Sequence, residues 1–254
     1  MLNSTQRFSN RVENYIKYRP HYPPAVLDLL RRECHLTPAS IIADIGSGTG
    51  ILTELLLQGG GTVVGVEPNQ EMREAAEKLL SNYPSFRSVT GTAEATTLPD
   101  HSIDVITAGQ AFHWFDRTKT RAEFLRVLKP GGWVALIWND RNISDRPFFQ
   151  AYENLLVTYG TDYEAVGHKH TDVEIIGSFF GEAGFRQAHF PNEQIFDLEG
   201  LKGRLLSSSY APAAAHPKHA PMLEALTRIF TEYETGGKVA FEYDTTVYYG
   251  QLDR

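Results

Sequence analysis

Five short apolar runs, Ile41–Ile45, Thr62–Val66, Arg87–Thr90, Ile103–Ala108 and Trp133–Trp138, alternate with stretches of helical periodicity, and this alternation restricts the chain to few folds. Most of the runs are rich in Val and Ile, as strands covered on both faces have to be. The helix candidates between them are Gly50–Gln58, Gln70–Ser81 and Arg117–Leu128, with Pro24–Glu33 ahead of the first strand. In EMREAAEKLLSN, Met72, Ala75, Ala76, Leu79 and Leu80 share one face and the charges lie opposite. The segment LKPGGW (128–133) stops the third helix and turns into the fifth strand. Strand–helix–strand repeats need right-handed crossovers, so the prediction is an α/β fold with a mostly parallel sheet and helices on both faces.

The regularity ends at Trp138. NDRNISDRP (139–147) reads as a polar connection, followed by helix candidates Pro147–Tyr159 and Thr171–Glu182. Residues 184–197 alternate enough for a strand pair or one bent strand. Residues 198–209 read as a helix whose basic pair, Lys202 and Arg204, suggests a solvated face. Residues 210–221 read as an exposed loop, Met222–Tyr233 as a helix, and 238–252 as a last strand returning to the sheet. The expected organisation is a single domain. Residues 1–35 form an N-terminal lid and helix, 36–140 a cofactor-binding core, 141–235 a partial helical cap, and 236–254 the final strand.

Bulk properties narrow the function. At 254 residues, 42% hydrophobic and 22% charged, the chain has the composition of a soluble globular domain. A net charge of -7 opposes a phosphate backbone, so no nucleic-acid partner is expected. Cys34 is the sole cysteine, which rules out an intrachain disulfide and suits a reducing compartment. Without a signal-like apolar stretch, or the roughly 20 apolar residues of a membrane helix, the expected location is the cytoplasm, with no membrane partner.

The first strand runs into the turn ADIGSGTG (43–50), and glycine is needed where the backbone takes positive φ or lets a ligand approach closely. A nucleoside-triphosphate loop would end in Gly-Lys-Ser/Thr, and GSGTGILT has no lysine. A dinucleotide fingerprint needs a glycine at the sixth position from Gly46, where Ile51 stands. A ligand-free strand–helix turn is the remaining plain reading.

The pattern Asp44-x-Gly46-x-Gly48-x-Gly50 resembles the first motif of class I S-adenosylmethionine-dependent methyltransferases. The likeness continues through Glu67 at the end of VVGVE, GTAEATTLP (91–99), AGQAFHWFD (108–116) and LKPGG, in the family's order across roughly residues 35 to 140. The resemblance implies a Rossmann-like seven-stranded sheet and S-adenosyl-L-methionine as cofactor. It places Asp44 and the backbone of Gly46, Ser47 and Gly48 at the methionine part, with Glu67 accepting from the ribose hydroxyls. Pro68, Asn69 and Met72 would line the adenine side, Ala93 would meet the ring through its N–H, and Gln110, Ala111 and Phe112 would pass beneath the methionyl chain. The family's acidic residue at the position of Thr92 is absent, and Glu94 is the nearest substitute.

FSNRVENYIKYRPHYP (8–23) and QAFHWFD carry a finer resemblance to type 11 small-molecule methyltransferases of the trans-aconitate methyltransferase-like group. It implies a small-molecule methyl acceptor, with a carboxylic acid as one candidate. Tyr15, Tyr18, Arg19 and Tyr22 could fold over the site, with aromatics facing a sulfonium and Arg19 pairing with a carboxylate. The other reading has these tyrosines packing on the sheet edge. His113 is the candidate base and also a candidate packing residue between Phe112 and Trp114, with Trp114 shaping the pocket. His168, His170, His216 and His219 lack a ligand set of metal spacing, so no metal is expected. A lipid or quinone-precursor acceptor, a tRNA or protein acceptor, and a cofactor binder without catalysis remain open alternatives.

Overall fold

The computed structural model describes residues 12–141, 146–161, 163 and 173–253. Seven strands form one sheet in the order β3-β2-β1-β4-β5-β7-β6. They are β1 Ile41–Ile45, β2 Thr62–Val66, β3 Phe86–Val89, β4 Ile103–Gly109, β5 Leu128–Arg141, β6 Arg186–Phe196 and β7 Val239–Gly250. β1 to β5 pair in parallel, while β7 runs antiparallel to both β5 and β6. The described helices are α1 Val12–Tyr18, α2 Pro24–Glu33, α3 Ile51–Leu57, α4 Gln70–Leu79, α5 Arg117–Val127, α6 Pro147–Tyr159, α7 Val173–Phe180, α8 Leu198–Leu206 and α9 His219–Tyr233. No helix among the described residues is long and apolar enough to cross a membrane.

Each face of the sheet has its own core. Phe124 of α5 and Phe179 and Phe180 of α7 bury one face with Ile106, Trp138 and Tyr248. Leu30 of α2 and Leu56 of α3 bury the other with Ile42, Val105 and Ile137. This double cover is why the parallel strands read as nearly unbroken apolar runs.

Several boundaries in the second half differ from the sequence expectation, and each has a pairing or packing cause. β5 continues past Trp138 to Arg141 because β7 pairs with it up to Arg141↔Tyr243. Residues 186–196 form one strand rather than a pair, since every residue of it lies opposite β7. α9 begins at His219, inside the expected loop. Pro221 falls in its first turn, where a missing N–H removes no intrahelical bond. α7 ends at Phe180, ahead of the expected Glu182, and residues 181–183 tighten into a 3₁₀ turn.

The β6–β7 ribbon outruns the sheet. From Glu242 back to Val239, β7 pairs only with β6. This overhang lies beyond the C-terminal ends of the parallel strands, and the cap is built on it. Phe241, fully buried, places its ring 5.1 Å from Tyr152, 5.5 Å from Phe149 and 6.1 Å from Phe148 of α6. Leu201 and Leu205 of α8 and Leu226 of α9 complete a third apolar cluster. α1 joins the cap by laying the Tyr18 ring directly on Gly203 of α8, where any side chain would collide with it.

Phe241→Ala is expected to cost about 3–5 kcal/mol in urea unfolding, the usual range for deleting a buried ring. Hydrogen exchange should accelerate in α6, α8 and α9 more than in β1 to β4; uniform acceleration would show that ribbon and sheet unfold together.

Candidate active site

Order in the sheet reverses at β1, which lies between β2 and β4, and open α/β sheets bind ligands at the carboxyl end of such a point. The loop there bends through Gly46, Gly48 and Gly50, all at positive φ (69°, 57° and 88°). A Cβ on Gly46 would stand 2.7 Å from that of Ala111, so the loop after β4 also requires a bare backbone there.

The loop's N–H groups are turned inward. Gly46 and Ser47 both donate to the Val66 carbonyl (2.8 and 3.3 Å), Gly48 donates to Glu67 Oε2 (3.0 Å), and Gly50 donates to the Ser47 carbonyl (2.9 Å). Phosphate-binding loops need such donors free. Here the N–H groups of Gly46, Ser47, Gly48 and Gly50 are already paired within the protein, and the loop offers close-packed peptide instead.

Two acids support it. Asp44, 1% exposed at the end of β1, accepts from Thr53 Oγ1 of α3 (2.6 Å) and Thr107 Oγ1 of β4 (3.0 Å). Burial pushes its carboxyl up to about 6 against the pull of both hydroxyls. Glu67 follows β2 and accepts from Gly48 N–H on one oxygen and Asn69 N–H on the other (2.9 Å). Burial raises its pKa despite these two bonds. After Pro68, Asn69 caps α4 by accepting from the Met72 N–H (2.9 Å), which fixes the turn and buries Met72.

Beyond β3, Thr92 and Ala95 exchange backbone bonds (3.1 and 3.2 Å) around the buried Ala93. Glu94 accepts from the Asp116 N–H (2.8 Å), tying this turn to the start of α5. Beyond β4, Gln110 takes φ 55°, donates its N–H to the Ile137 carbonyl (2.9 Å) and its side-chain amide to the Asn139 carbonyl (3.0 Å). Phe112 turns into the core, 4.7 Å from the Phe179 ring. His113 lies on a 3₁₀ turn with its ring 4.8 Å from that of Trp114, which is 36% exposed.

A narrow cleft, partly open to solvent, separates this floor from the cap. Gly46, Ser47 and Gln110 line one side, and Arg19, Tyr22 and Arg204 line the other; His113 and Trp114 do not border it. Residues 18–22 therefore bridge, where the sequence offered lid or sheet edge. Arg19 Nη2 donates to the Ser207 carbonyl of the cap (2.9 Å), the His21 carbonyl accepts from Asn192 Nδ2 (2.7 Å), and the Tyr22 hydroxyl abuts Gly109. The side chain of Tyr15, like His168 and His170, lies outside the described residues. Among the described residues no cluster of three or more His, Cys, Asp or Glu could hold a metal ion.

Arg204 corrects the sequence reading most. Lys202 is partly exposed and pairs with Glu199 (2.9 Å), but Arg204 is 4% exposed. Its position relative to Leu201 and Leu205 puts it on the apolar face of α8, and helical periodicity carries that signal although the neighbouring Lys202 suggests a solvated face. Asn139, expected in a polar connection, is buried and accepts from Thr245 (2.5 Å) and Asn192 (3.1 Å).

The chain matches the methyltransferase domain family over residues 43–136. It is 35% identical over 249 residues to an uncharacterized methyltransferase of Schizosaccharomyces pombe, in an alignment covering 95% of each chain. An uncharacterized methyltransferase of Mycobacterium bovis is 39% identical over 137 residues, and the chain spans only about half of that relative's length, 53%. Among solved structures, a candidate type II methyltransferase from Anaeromyxobacter dehalogenans shares the fold at a TM-score of 0.67 and 23% identity, over 93% of this chain and 100% of that one.

The raised carboxyl of Asp44 sets a pH dependence. Its folded value, about 6, exceeds the ordinary 3.8, so the folded chain holds the proton more tightly than the unfolded chain. The stabilisation is full below pH 4 and is lost as pH rises through 6; Asp140, also raised to about 6 by burial, acts in the same direction. Asp44→Asn mimics the protonated form. Relative to the unsubstituted protein it should gain up to about 3 kcal/mol in urea unfolding between pH 4 and 7. A constant difference across that range would mean that the carboxylate is compensated in the fold.

Proposed function

The chain belongs to the methyltransferase family, and from that premise we propose that it moves a methyl group from S-adenosylmethionine to a small organic acid lodged between the glycine loop and the cap. The observation that carries this reading is the pairing of an N–H-depleted loop with two buried acids. A pyrophosphate would meet two buried acids and find the N–H groups of Gly46, Ser47 and Gly48 already paired, whereas a cationic, phosphate-free nucleoside suits both.

The residues fit that cofactor. Each Glu67 oxygen accepts one N–H and retains a further lone pair, and burial leaves the carboxylate short of donors. Two ribose hydroxyls would supply them. Asp44 would balance the positive charge of the methionyl end through the loop above it, and Met72 and Ala93 would flank the adenine. The bound cofactor supplies an electrophilic methyl carbon on a sulfonium, open to in-line attack. The chain aligns the acceptor behind that carbon and keeps water out, which is where much of the rate arises for such displacements.

Arg19 on the opposite wall supports an acidic acceptor. A carboxylate needs no base, so under this proposal His113 packs against Trp114 and takes no proton. The enzyme would act on a free small molecule, without nucleic acid or membrane.

Glu67→Ala should weaken S-adenosylhomocysteine binding in calorimetry by about 1.5–3 kcal/mol, the worth of hydrogen bonds to a charged acceptor. Unchanged affinity would remove Glu67 from the site. His113→Ala should keep both cofactor affinity and turnover close to the unsubstituted values in a methyl-transfer screen over small acids, phenols and quinones. A collapse of kcat with binding intact would make His113 the base and favour a phenol or alcohol acceptor.

A further inference from the structure

We propose that Arg204 is the acceptor anchor: it grips an oxyanion, carboxylate or phosphate, on the substrate, at a position other than the atom that is methylated. The proposal rests on the methyl-transfer reading above and adds to it the group by which the acceptor is recognised.

Arg204 is a buried cation with no acid. Nε donates to the Tyr243 hydroxyl (2.8 Å) and Nη1 to Ser208 Oγ (3.1 Å), while the guanidinium lies over the rings of Phe241 (5.4 Å) and Tyr243 (5.8 Å). All of these partners are neutral. Among the described residues no carboxylate pairs with it, and Nη2 takes no partner. Arg141, half-buried at the end of β5, shows what a completed pair looks like here. It bonds Glu153 Oε2 (3.0 Å) and the Tyr163 hydroxyl (2.5 Å), and Tyr163 in turn donates to Glu153. A guanidinium cannot shed its proton, so burying one without a counter-charge costs stability unless a ligand provides that charge.

The location makes the ligand an acceptor. Arg204 borders the same cleft as Gly46, Ser47 and Gln110, with Arg19 beside it. The positive potential shows on a neighbour: burial pushes the Tyr210 phenol up, yet Arg141 and Arg204, with a Ser208 hydrogen bond and Arg19, bring it below the ordinary tyrosine value. The guanidinium is also held in place, because the Tyr243 hydroxyl that accepts from Nε donates to Gln194 Oε1 (2.8 Å), and Gln194 donates to the Tyr18 carbonyl (3.3 Å). A fixed planar fork suits a carboxylate or phosphate. An oxyanion held by charge-assisted bonds is a poorer nucleophile, so the anchored group and the methylated group are different atoms of the acceptor.

The test uses the full chain saturated with S-adenosylhomocysteine and titrates succinate, phosphonoacetate and the uncharged succinamide by calorimetry. Succinate or phosphonoacetate should bind, and their ranking tells carboxylate from phosphate; succinamide should not bind. Arg204→Gln should weaken the anion by on the order of 30-fold or more. Arg204→Lys, which keeps the charge but loses the fork, should weaken it by about tenfold, with S-adenosylhomocysteine affinity retained in both. Tyr243→Phe, a milder change that frees the guanidinium without removing it, should weaken the anion several-fold and serves if the arginine variants do not fold. Equal binding of succinate and succinamide, no anion binding at tens of millimolar, or anion affinity unchanged in Arg204→Gln would overturn the proposal. Failure of S-adenosylhomocysteine to bind would instead count against the methyl-transfer reading. The anion titration of the ligand-free protein would then still report on Arg204 alone.

Discussion

Glu67 joins the two loops on which the cleft is built. One oxygen takes the N–H of Gly48 from the turn after β1, and the other takes the N–H of Asn69 at the start of α4. The bridge crosses between two adjacent parallel strands at their carboxyl ends, so the glycine turn is held by a side chain rather than by a ligand. It also commits the turn's donors to the protein. Gly46 and Ser47 add theirs to the Val66 carbonyl one residue before Glu67, and the whole loop is thereby docked onto the end of β2. Through this one carboxylate the glycine-rich turn is packed closely onto β2, with the N–H groups of Gly46, Ser47 and Gly48 already paired.

The opposite wall depends on a different device. A sheet that ended where β5 ends would leave the cleft open, and the β6–β7 overhang prevents this by carrying the cap helices past the last parallel strand. The strap at residues 18–22 then closes the remaining side. Its carbonyls accept from Gln194 and Asn192 of β6 and from Asn139 of β5, and Arg19 reaches the carbonyl of Ser207 at the end of α8. Four segments distant in the chain thus meet over one volume. The apolar cluster around Phe241 sets their height above the floor, and the polar bonds set their register.

This division explains what was legible in the sequence. β1, β2 and β4, the glycine turn and the start of α4 at Gln70 are local: short apolar periods, positive-φ glycines and an amphipathic stripe each act within a few positions, so the pattern names them. The second half is governed by contacts that the pattern does not contain. Arg204 looks solvated beside Lys202 until α8 is packed on Phe241, and only its spacing from Leu201 and Leu205 hints otherwise. Asn139 looks like loop until β7 extends β5 around it. Phe112, in a segment assigned to the cofactor by resemblance, is drawn into the core by Trp138 and Phe179, because an aromatic ring beside a buried sheet face gains more from that packing than from a wet cleft. The floor of the cleft is therefore readable and its cap-side wall is not. The difference is the sequence distance over which each is specified.

The two walls carry opposite charge. Asp44 and Glu67 support one side, with burial raising the pKa of both, and Arg19 and Arg204 line the other. Alone, each wall is costly, since like charges are held out of water. Together they create a field across a narrow volume, directed to seat a cation against the acids and an anion against the arginines. In the proposed reaction a sulfonium and a carboxylate become two neutral groups, so charge disappears on the way to the transition state. Water, by solvating both ions, resists such a change, whereas a cleft that has removed the water and kept only fixed dipoles and distant counter-charges resists it less. The arrangement holds the acceptor by an anion that is not consumed and leaves the reacting oxygen with few hydrogen bonds to break. On this account the unpaired guanidinium of the free protein is the cost of selectivity, met by the substrate when it binds.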